Sequence, residues 1–520
     1  MLHVNVALPS GRTETFSLPQ SSKVGDLRVL AQKSFQCGFL RLVAADHSVV
    51  DPTKSLQDAG LEDGDHLTAI AVEAKVAATA RAFALFCPGG DQVVTWGYPD
   101  DGGDSSEVQD RLKGVRQIQA TLGGAFAAIL ADGSVVTWGD PAYGGDSSQA
   151  QHQLKSVQQV QSTRSGAFAA ILADGSVVTW GHPDFGGDSS EVQDQPKDVQ
   201  QVQATRSGAF AAILADGSVV TWGNPDYGGD SSQVQHQLKG VQEVQASDGA
   251  FAAILADGSV VTWGNPKYGG DSSQVQHQLK GAQEVQASDG AFAAILADGS
   301  VVTWGSKDSG GDSSEVQDRL KDVQQVQATL SGAFAAILAD GSVVTWGDPN
   351  RGGDSSEVQD QLKGVQQVQA TSEAFAAILA DGSIVTWGRP DSGGDSSEVQ
   401  DQLKGVQRVQ ANCYAFAAIL ADESVVTWGF PDSGGDSSYV QDQLKGVQRV
   451  QATSEAFAAI LADGSIVPWG DHDFGGDSSE VEDQLKGVQQ VQANWYAFAA
   501  ILADESVVTW GFPDSGGDSS

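Results

Sequence analysis

A Trp-Gly pair recurs eleven times between Trp96 and Trp510, at a spacing of 41 or 42 residues. Around each pair stands nearly the same module, as in DVQQVQATRSGAFAAILADGSVVTWGNPDYGGDSS at 198–232. A fixed period of roughly 20–50 residues marks a propeller, a solenoid or an array. One such unit cannot bury its apolar face alone, so it stacks on its neighbours and presents a long surface to partners. The repeat therefore favours an interaction platform over an enzyme before any single residue is considered.

Charge narrows the partners. Of 520 residues, 29 are Lys or Arg and 67 are Asp or Glu, for a net charge of −38. Residues 1–72 hold only 6 basic and 8 acidic residues, so nearly all the excess lies in the repeats. Such a field repels nucleic acid and anionic lipid, whose binding needs basic patches. It suits solubility or a basic protein partner. Cys37, Cys87 and Cys413 show no paired spacing, so neither a disulfide framework nor a zinc site is expected. The N-terminus has no basic region followed by an apolar stretch. Apolar runs such as AFAAILA fall far short of the ~20 residues that span a bilayer. A soluble cytoplasmic or nuclear protein, not secreted and not membrane-bound, is expected.

Residues 1–73 lack the repeat and read as a separate domain. Leu2, Val4 and Val6 alternate with less apolar residues, a half-buried strand. Pro9–Arg12 is a turn, and Thr13–Leu18 is the returning hairpin strand. Ser22 stands where an N-cap belongs, with Asp26 in the first turn of a helix reaching about Phe35. Phe39–Val43 and Leu67–Val72 read as strands, Val49-Val50 as a short one, and Ser55–Leu61 as a helical turn. This order, with Leu40-Arg41-Leu42-Val43, Lys54–Leu61 and Asp63-Gly64-Asp65-His66-Leu67, resembles the ubiquitin fold, a small α+β β-grasp domain. Conjugated ubiquitin relatives end in a flexible Gly-Gly, whereas this segment runs through Val72-Glu73-Ala74-Lys75 into the repeats. The resemblance thus implies an in-built docking module, with Val43 near the apolar patch used for partners. Packing in the domain core is the alternative for Val43.

Within each repeat, Val202-Gln203-Ala204 reads as an alternating strand and Phe210–Ala215 as a strand buried on both faces. Asp216-Gly217 is a hairpin turn, and Ser218–Trp222 is a β-branched third strand. SSEVQDQLKG at 355–364 predicts a linking helix of one to two turns, capped by Ser355 or Ser356 and closed at Lys363-Gly364. Pro196 replaces the leucine in one copy and predicts an irregular turn there. The apolar run, Asp-Gly turn, Trp-Gly strand end and aromatic-Gly loop of Ala211–Gly228 resemble the regulator-of-chromosome-condensation propeller family. The resemblance covers residues 74–520 and implies a mainly β, propeller-like array. The family usually has longer, often four-stranded repeats in seven blades and a His before the apolar run. Here there are eleven short modules, and Ala125, Ala167 and Ala209 replace that His. A closed ring, an open spiral, or a standard ring with extra blades all remain open.

Nothing in the chain spells catalysis. The eight histidines are scattered, and no Gly-Lys-Ser/Thr phosphate loop is present. Some propellers of this family belong to ubiquitin ligases with a C-terminal catalytic domain, and no such domain is expected here. The repeated Gly-Gly-Asp-Ser-Ser could suggest calcium, but its period of about 41 residues does not stack ligands, so a turn with a helix cap is expected. No catalytic residue, metal site or cofactor is expected. The repeated Trp residues are expected to pack between blades.

Recognition is expected where the repeats differ. Two loops vary from copy to copy: the one between strands one and two (Arg206-Ser207, Cys413-Tyr414, Trp495-Tyr496) and the one after Trp-Gly (Pro225–Tyr227, Phe430–Ser433). An up-down-up blade places both on one face, with Asp-Gly on the other. Arg206 and Asp226 should then share a rim opposite Asp216 and Gly217. The candidate partner-binding residues are Val43, Tyr143, Phe185, Tyr227, Tyr268, Phe430, Phe474, Trp495 and Tyr496, because aromatics anchor interfaces. Modules eight to eleven alternate in pairs, with Thr-Ser-Glu at 371 and 453 and Asn-Cys-Tyr and Asn-Trp-Tyr at 412 and 494, as a two-module duplication would leave them. The expected function is a non-enzymatic adaptor binding protein partners, basic ones or members of the ubiquitin system. The alternative is a component of ubiquitin ligation or a nucleotide-exchange factor for a small GTPase.

Overall fold

The computed structural model describes residues 1–35, 40–46, 48–52, 54–72, 74–90, 92–190, 197–503 and 506–518. Strand β1 (Leu2–Ala7) forms a hairpin with β2 (Thr13–Leu18); β3 (Leu40–Val43) and β4 (His66–Ala71) complete a four-stranded sheet in the order β2-β1-β4-β3. Strands β1 and β4 run parallel, which requires a crossover, and α1 (Val24–Phe35) supplies part of it. The alternation read in β1 buries Val4 and Val6 against Leu27 and Leu67. Ser22 is not the cap: the helix starts one residue later, and the Lys23 amide donates to the Asp26 carboxylate at 2.9 Å. Asp26 thus acts from within the first turn, where an anion also meets the helix dipole favourably.

Among the described residues eleven three-stranded antiparallel sheets follow, beginning with Lys75–Ala78, Ala82–Phe86 and Val93–Gly97. The chain is a mainly β, propeller-like repeat array. In the fourth module the strands are Val199–Ala204, Ala209–Leu214 and Val219–Gly223. The first strand is longer than its alternating core suggested, with Val199 and Val202 buried three residues apart. A register shift between Val199 and Gln201 accounts for that spacing, because a bulge adds one residue to one side of the ladder. The second strand is buried on both faces, as its continuous apolar run predicts.

The linker is not a one- to two-turn helix. It holds turns, with a single 3₁₀ turn in some copies, as at Gln317–Arg319. Its glutamine is drawn back to the sheet instead. Thr345 Oγ1 donates to Ser355 Oγ at 2.9 Å, Ser355 Oγ to Gln359 Oε1, and Gln359 Nε2 to the Val343 carbonyl at 2.9 Å. Asp354 accepts from the Ser356 amide, which makes Gly-Gly-Asp-Ser-Ser a turn with a side-chain cap. A segment this short gains little from helix nucleation, so these side-chain bonds prevail. Pro196 lies outside the described residues. A 3₁₀ turn does form after Trp-Gly, at Pro225–Tyr227, where Asn224 accepts from the Asp226 amide and proline presets the first helical φ.

One contact set joins the modules. Trp222 stacks on its cross-strand partner Phe210 with ring centroids 5.3 Å apart. Its indole N–H donates to the Gly186 carbonyl of the preceding module at 3.2 Å. Gly186 has φ +94°, and a Cβ there would fall 2.6 Å from Phe210 Cδ2. Glycine is therefore required twice over, for its backbone and for the ring above it. The same set recurs down the array, so the tryptophans lie in the joints between modules. The end modules also touch: Phe83, Leu85 and Trp96 of the first form one buried cluster with Ala497, Ala499 and Ile501 of the last.

Candidate protein-interaction face

The up-down-up path brings the two variable loops together. The Asn224 amide donates to the Gly208 carbonyl at 3.0 Å, so the loop after Trp-Gly rests on the loop containing Arg206. Asp216-Gly217 lies at the other end of the blade, where the Val241 amide of the following module donates to the Gly217 carbonyl. Arg206 and Asp226 therefore share one rim, opposite Asp216 and Gly217.

On that rim the loops between strands one and two are tied to each other. The Ser207 amide donates to the Asp248 carbonyl at 2.9 Å and the Asp248 amide to the Asp289 carbonyl at 3.2 Å. Ser372, Cys413 and Ser454 continue the pattern, each donating to the next module's loop and the last reaching Trp495. Loops of the first two modules and of modules seven to eleven line a common cavity of about 600 Å³, which includes Thr79, Leu122, Leu330, Cys413 and Trp495. The Arg164 guanidinium of module three stands 4.9 Å over the Trp495 ring of module eleven. Loops distant in sequence thus converge on one place.

The rim is charged and apolar by turns. Arg206 pairs with Asp248 at 3.3 Å and with Asp289, two modules on. Burial raises the Asp289 carboxyl above its ordinary range, and the neighbouring Asp248 charge adds to this against the pull of Arg206. Glu373 is held by Arg389 at 2.8 Å and Arg351 at 3.6 Å. Burial also pushes the Cys413 thiol up, so it is a poor nucleophile at neutral pH. Among the described residues no group of three or more His, Cys, Asp or Glu is placed to hold a metal ion, and no helix is long and apolar enough to cross a membrane.

The nine candidate residues divide. Trp495 and Phe430 are exposed, each at 41 %. Tyr143, Phe185, Tyr227, Tyr268 and Phe474 are half-buried at the ends of 3₁₀ turns, wedged against the next module's loop. A Cβ on Gly166, for instance, would come 2.3 Å from Tyr143 Cδ1. These rings support the rim as well as edge it, so exposed aromatics is too strong a reading of the sequence. Tyr496 is half-buried between Phe474 and Phe512, with centroids at 5.3 and 6.5 Å. Val43 is buried in β3, the core alternative, and offers almost no surface. Leu330 and Tyr414, exposed at 46 % and 39 %, belong to the same face but were not singled out. Their position in the most variable loop was the available signal.

Comparison with protein-family profiles gives no match, and no curated protein matches. Among solved structures the chain is similar to the WD40 ectodomain of the Arabidopsis thaliana receptor kinase ACR4, at 19 % identity over 51 % of this chain and 93 % of that one, TM-score 0.29. It is similar to Prp20p of Saccharomyces cerevisiae at 14 % identity, covering 69 % and 83 %, TM-score 0.29. Human WBSCR16 is similar at 17 %, covering 56 % and 81 %, TM-score 0.26. Overlays this loose carry no argument about the present chain, whose propeller-like architecture rests on its own strands and joints.

Proposed function

We propose that this chain is a non-enzymatic adaptor, with the variable-loop rim as the recognition surface for another protein. The grouping of exposed Leu330, Tyr414, Phe430 and Trp495 on one rim carries the reading, since large side chains exposed together on a rigid scaffold are what interfaces use. The surrounding excess of carboxylates favours a basic partner over nucleic acid. The N-terminal domain serves as a second, ubiquitin-like docking module, a reading supported by its helix-crossed four-stranded sheet.

Affinity capture with cross-linking would compare the full chain, a Leu330→Ala/Trp495→Ala variant and Lys363→Ala, a control beside Gly364 on the opposite face. The rim variant should lose a partner that the control retains. Equal capture by both variants would refute the rim. Accelerated nucleotide release from a small GTPase, or a ubiquitin thioester on the purified chain, would refute the adaptor reading itself.

A further inference from the structure

Modules eight and ten carry the same Thr-Ser-Glu loop, at 371 and 453, yet their glutamates meet different neighbours. In module eight the Arg389 amide donates to the Glu373 carbonyl at 3.0 Å, and its guanidinium holds the Glu373 carboxylate at 2.8 Å. In module ten the matching amide is that of Asp471, which donates to the Glu455 carbonyl at 3.1 Å. The backbone is reproduced, and a second carboxylate stands where the cation was. Arg351, the other guanidinium on Glu373, is matched by Ser433, whose hydroxyl donates to the Glu455 carboxylate at 3.2 Å. Among the described residues Glu455 has no ion pair. His472, next along the chain, turns instead to Asp473 at 3.5 Å and to Asp477 at 4.0 Å. One Asp471 oxygen caps the Asp473 amide at 2.8 Å, which leaves the other for a ligand. Exposed rings edge the place: Phe430 opens the 3₁₀ turn that carries Ser433, and its amide donates to the Tyr414 carbonyl at 3.0 Å. Burial raises the Tyr414 hydroxyl above its ordinary range, and the charges of Glu455 and Glu373 add to this.

We propose that Glu455 and Asp471 together receive the guanidinium of an arginine carried by a partner protein, which supplies in trans the cation that Arg389 supplies within the chain. Such a ligand presupposes the adaptor reading and gives the rim a definite side chain to recognise. Glu455 is half-buried, and a neighbouring like charge with no cation beside it is unfavourable. A planar cation with five donors relieves that repulsion and adds charge-assisted hydrogen bonds to both carboxylates. Module eight points to arginine over lysine, because both cations on Glu373 are guanidinium groups. The ring faces of Phe430 and Tyr414 favour the same choice, since a guanidinium stacks on an aromatic face.

Fluorescence anisotropy on the full chain at about 0.15 M salt tests it, so that weak attraction to the acidic surface is screened. The probe is a dye-labelled acetyl-Leu-Ala-Arg-Ala-Leu peptide, beside a twin in which citrulline, a neutral isostere, replaces arginine. Saturable binding of the arginine peptide is expected, weakened about tenfold or more in the twin. Glu455→Gln should weaken the arginine peptide by a similar factor, and Asp471→Arg should do so by filling the position from within the chain. Asp391→Asn removes one negative charge from the exposed turn of module eight and should leave binding unchanged. No saturable binding, equal binding of the twins, undiminished binding in either site variant, or equal weakening by Asp391→Asn would overturn the proposal. Each of those results leaves the adaptor reading standing, because that reading is tested by the Leu330 and Trp495 variant.

Discussion

Gly516 of the eleventh module lies against the ring of Phe83 in the first, where a Cβ on the glycine would come 2.8 Å from Phe83 Cδ2. Gly186 meets Phe210 of the next module in the same way at 2.6 Å, and Gly228 meets Phe251 at 2.7 Å. The joint between the eleventh and first modules thus repeats the joint between neighbours, with one difference. Ten tryptophans donate their indole N–H to the preceding module, from Trp138 to Gly102 through Trp510 to Gly475. Among the described residues Trp96 Nε1, which is buried, finds no hydrogen-bond partner.

That difference predicts unequal costs for the same substitution. Trp222→Phe keeps a ring on Phe210 but leaves the Gly186 carbonyl unpaired, which should cost about 1–3 kcal/mol beyond the lost volume. Trp96→Phe loses similar volume and removes an unsatisfied donor, so it should cost less. Denaturant unfolding of the two variants checks this; equal losses would show that the hydrogen bond contributes nothing to the joint.

Glycines of the joint should be intolerant of a methyl group. Gly228→Ala forces a side chain into the left-handed region at φ +106° and onto the Phe251 ring. Gly240 has φ +67°, but its nearest neighbour to a new Cβ is Ala256 Cβ at 3.8 Å. Both variants carry the backbone cost of about 1–2 kcal/mol. Only Gly228→Ala adds overpacking of about 1–3 kcal/mol. Its melting temperature should therefore fall well below that of Gly240→Ala.

The tenth module carries a proline where its neighbours have threonine, in the strand Ile466–Gly470, and Glu482 where they have glutamine. Pro468 is tolerated because this strand pairs on one side only. Proline lacks the hydroxyl that Thr345 donates, and a glutamate carboxylate can accept from a serine but cannot donate to the strand carbonyl as Gln359 does. Pro468→Thr with Glu482→Gln should raise stability by about 1–2 kcal/mol, whereas either change alone should gain less. A double-mutant cycle by thermal unfolding measures the coupling.

Acid should weaken the turns. The Ser218 hydroxyl and then its amide donate to Asp216 and hold its carboxyl below the ordinary value of 3.8; Asp257 and Asp298 are held likewise by Ser259 and Ser300. A depressed folded pKa means that the ionised form is favoured in the native state. The contribution is complete above the unfolded value near 3.8 and is lost as pH falls through the lower folded one. An Asp216→Asn/Asp257→Asn/Asp298→Asn variant should show a flatter melting curve against pH between pH 5 and 2. A slope as steep as that of the parent chain would contradict the linkage.

Trp495 and Tyr496 should separate binding from stability. Trp495 is exposed, and the Arg164 guanidinium over its ring contributes about 0.5–1 kcal/mol at such a site. Trp495→Ala should leave the melting temperature almost unchanged. Tyr496 packs between two rings, so Tyr496→Ala should lower it clearly. Calorimetry on the two single variants distinguishes them.

Much of this was legible in the residues. The Trp-Gly period announced the modules, the AFAAIL run announced a strand buried on both faces, and three-strand alternation placed Arg206 and Asp226 on one rim. Other features were not legible because they depend on contacts between copies. No local pattern shows that Gly186 must accept from Trp222, or that Arg164 meets Trp495 across eight modules. Ser, Glu, Val and Leu of the linker fit helical spacing, while the bond from Gln359 to Val343 is invisible without the sheet beside it. The aromatics after Trp-Gly looked free for binding because sequence reveals their variability and not the loop they press upon.

That Gln359 bond has a consequence for the protein in concentrated solution. The third strand of each sheet pairs on one side only, so eleven outward backbone edges could template strands from other molecules. Gln359 fills the Val343 carbonyl, and Gln235, Gln276 and Gln400 do the same for Val219, Val260 and Ile384. The segment joining two blades thereby works as a bumper, denying the edge an acceptor that fibril growth would use. A chain of many near-identical β-rich copies is exposed to cross-pairing, and each carbonyl occupied by a glutamine is one acceptor fewer for it.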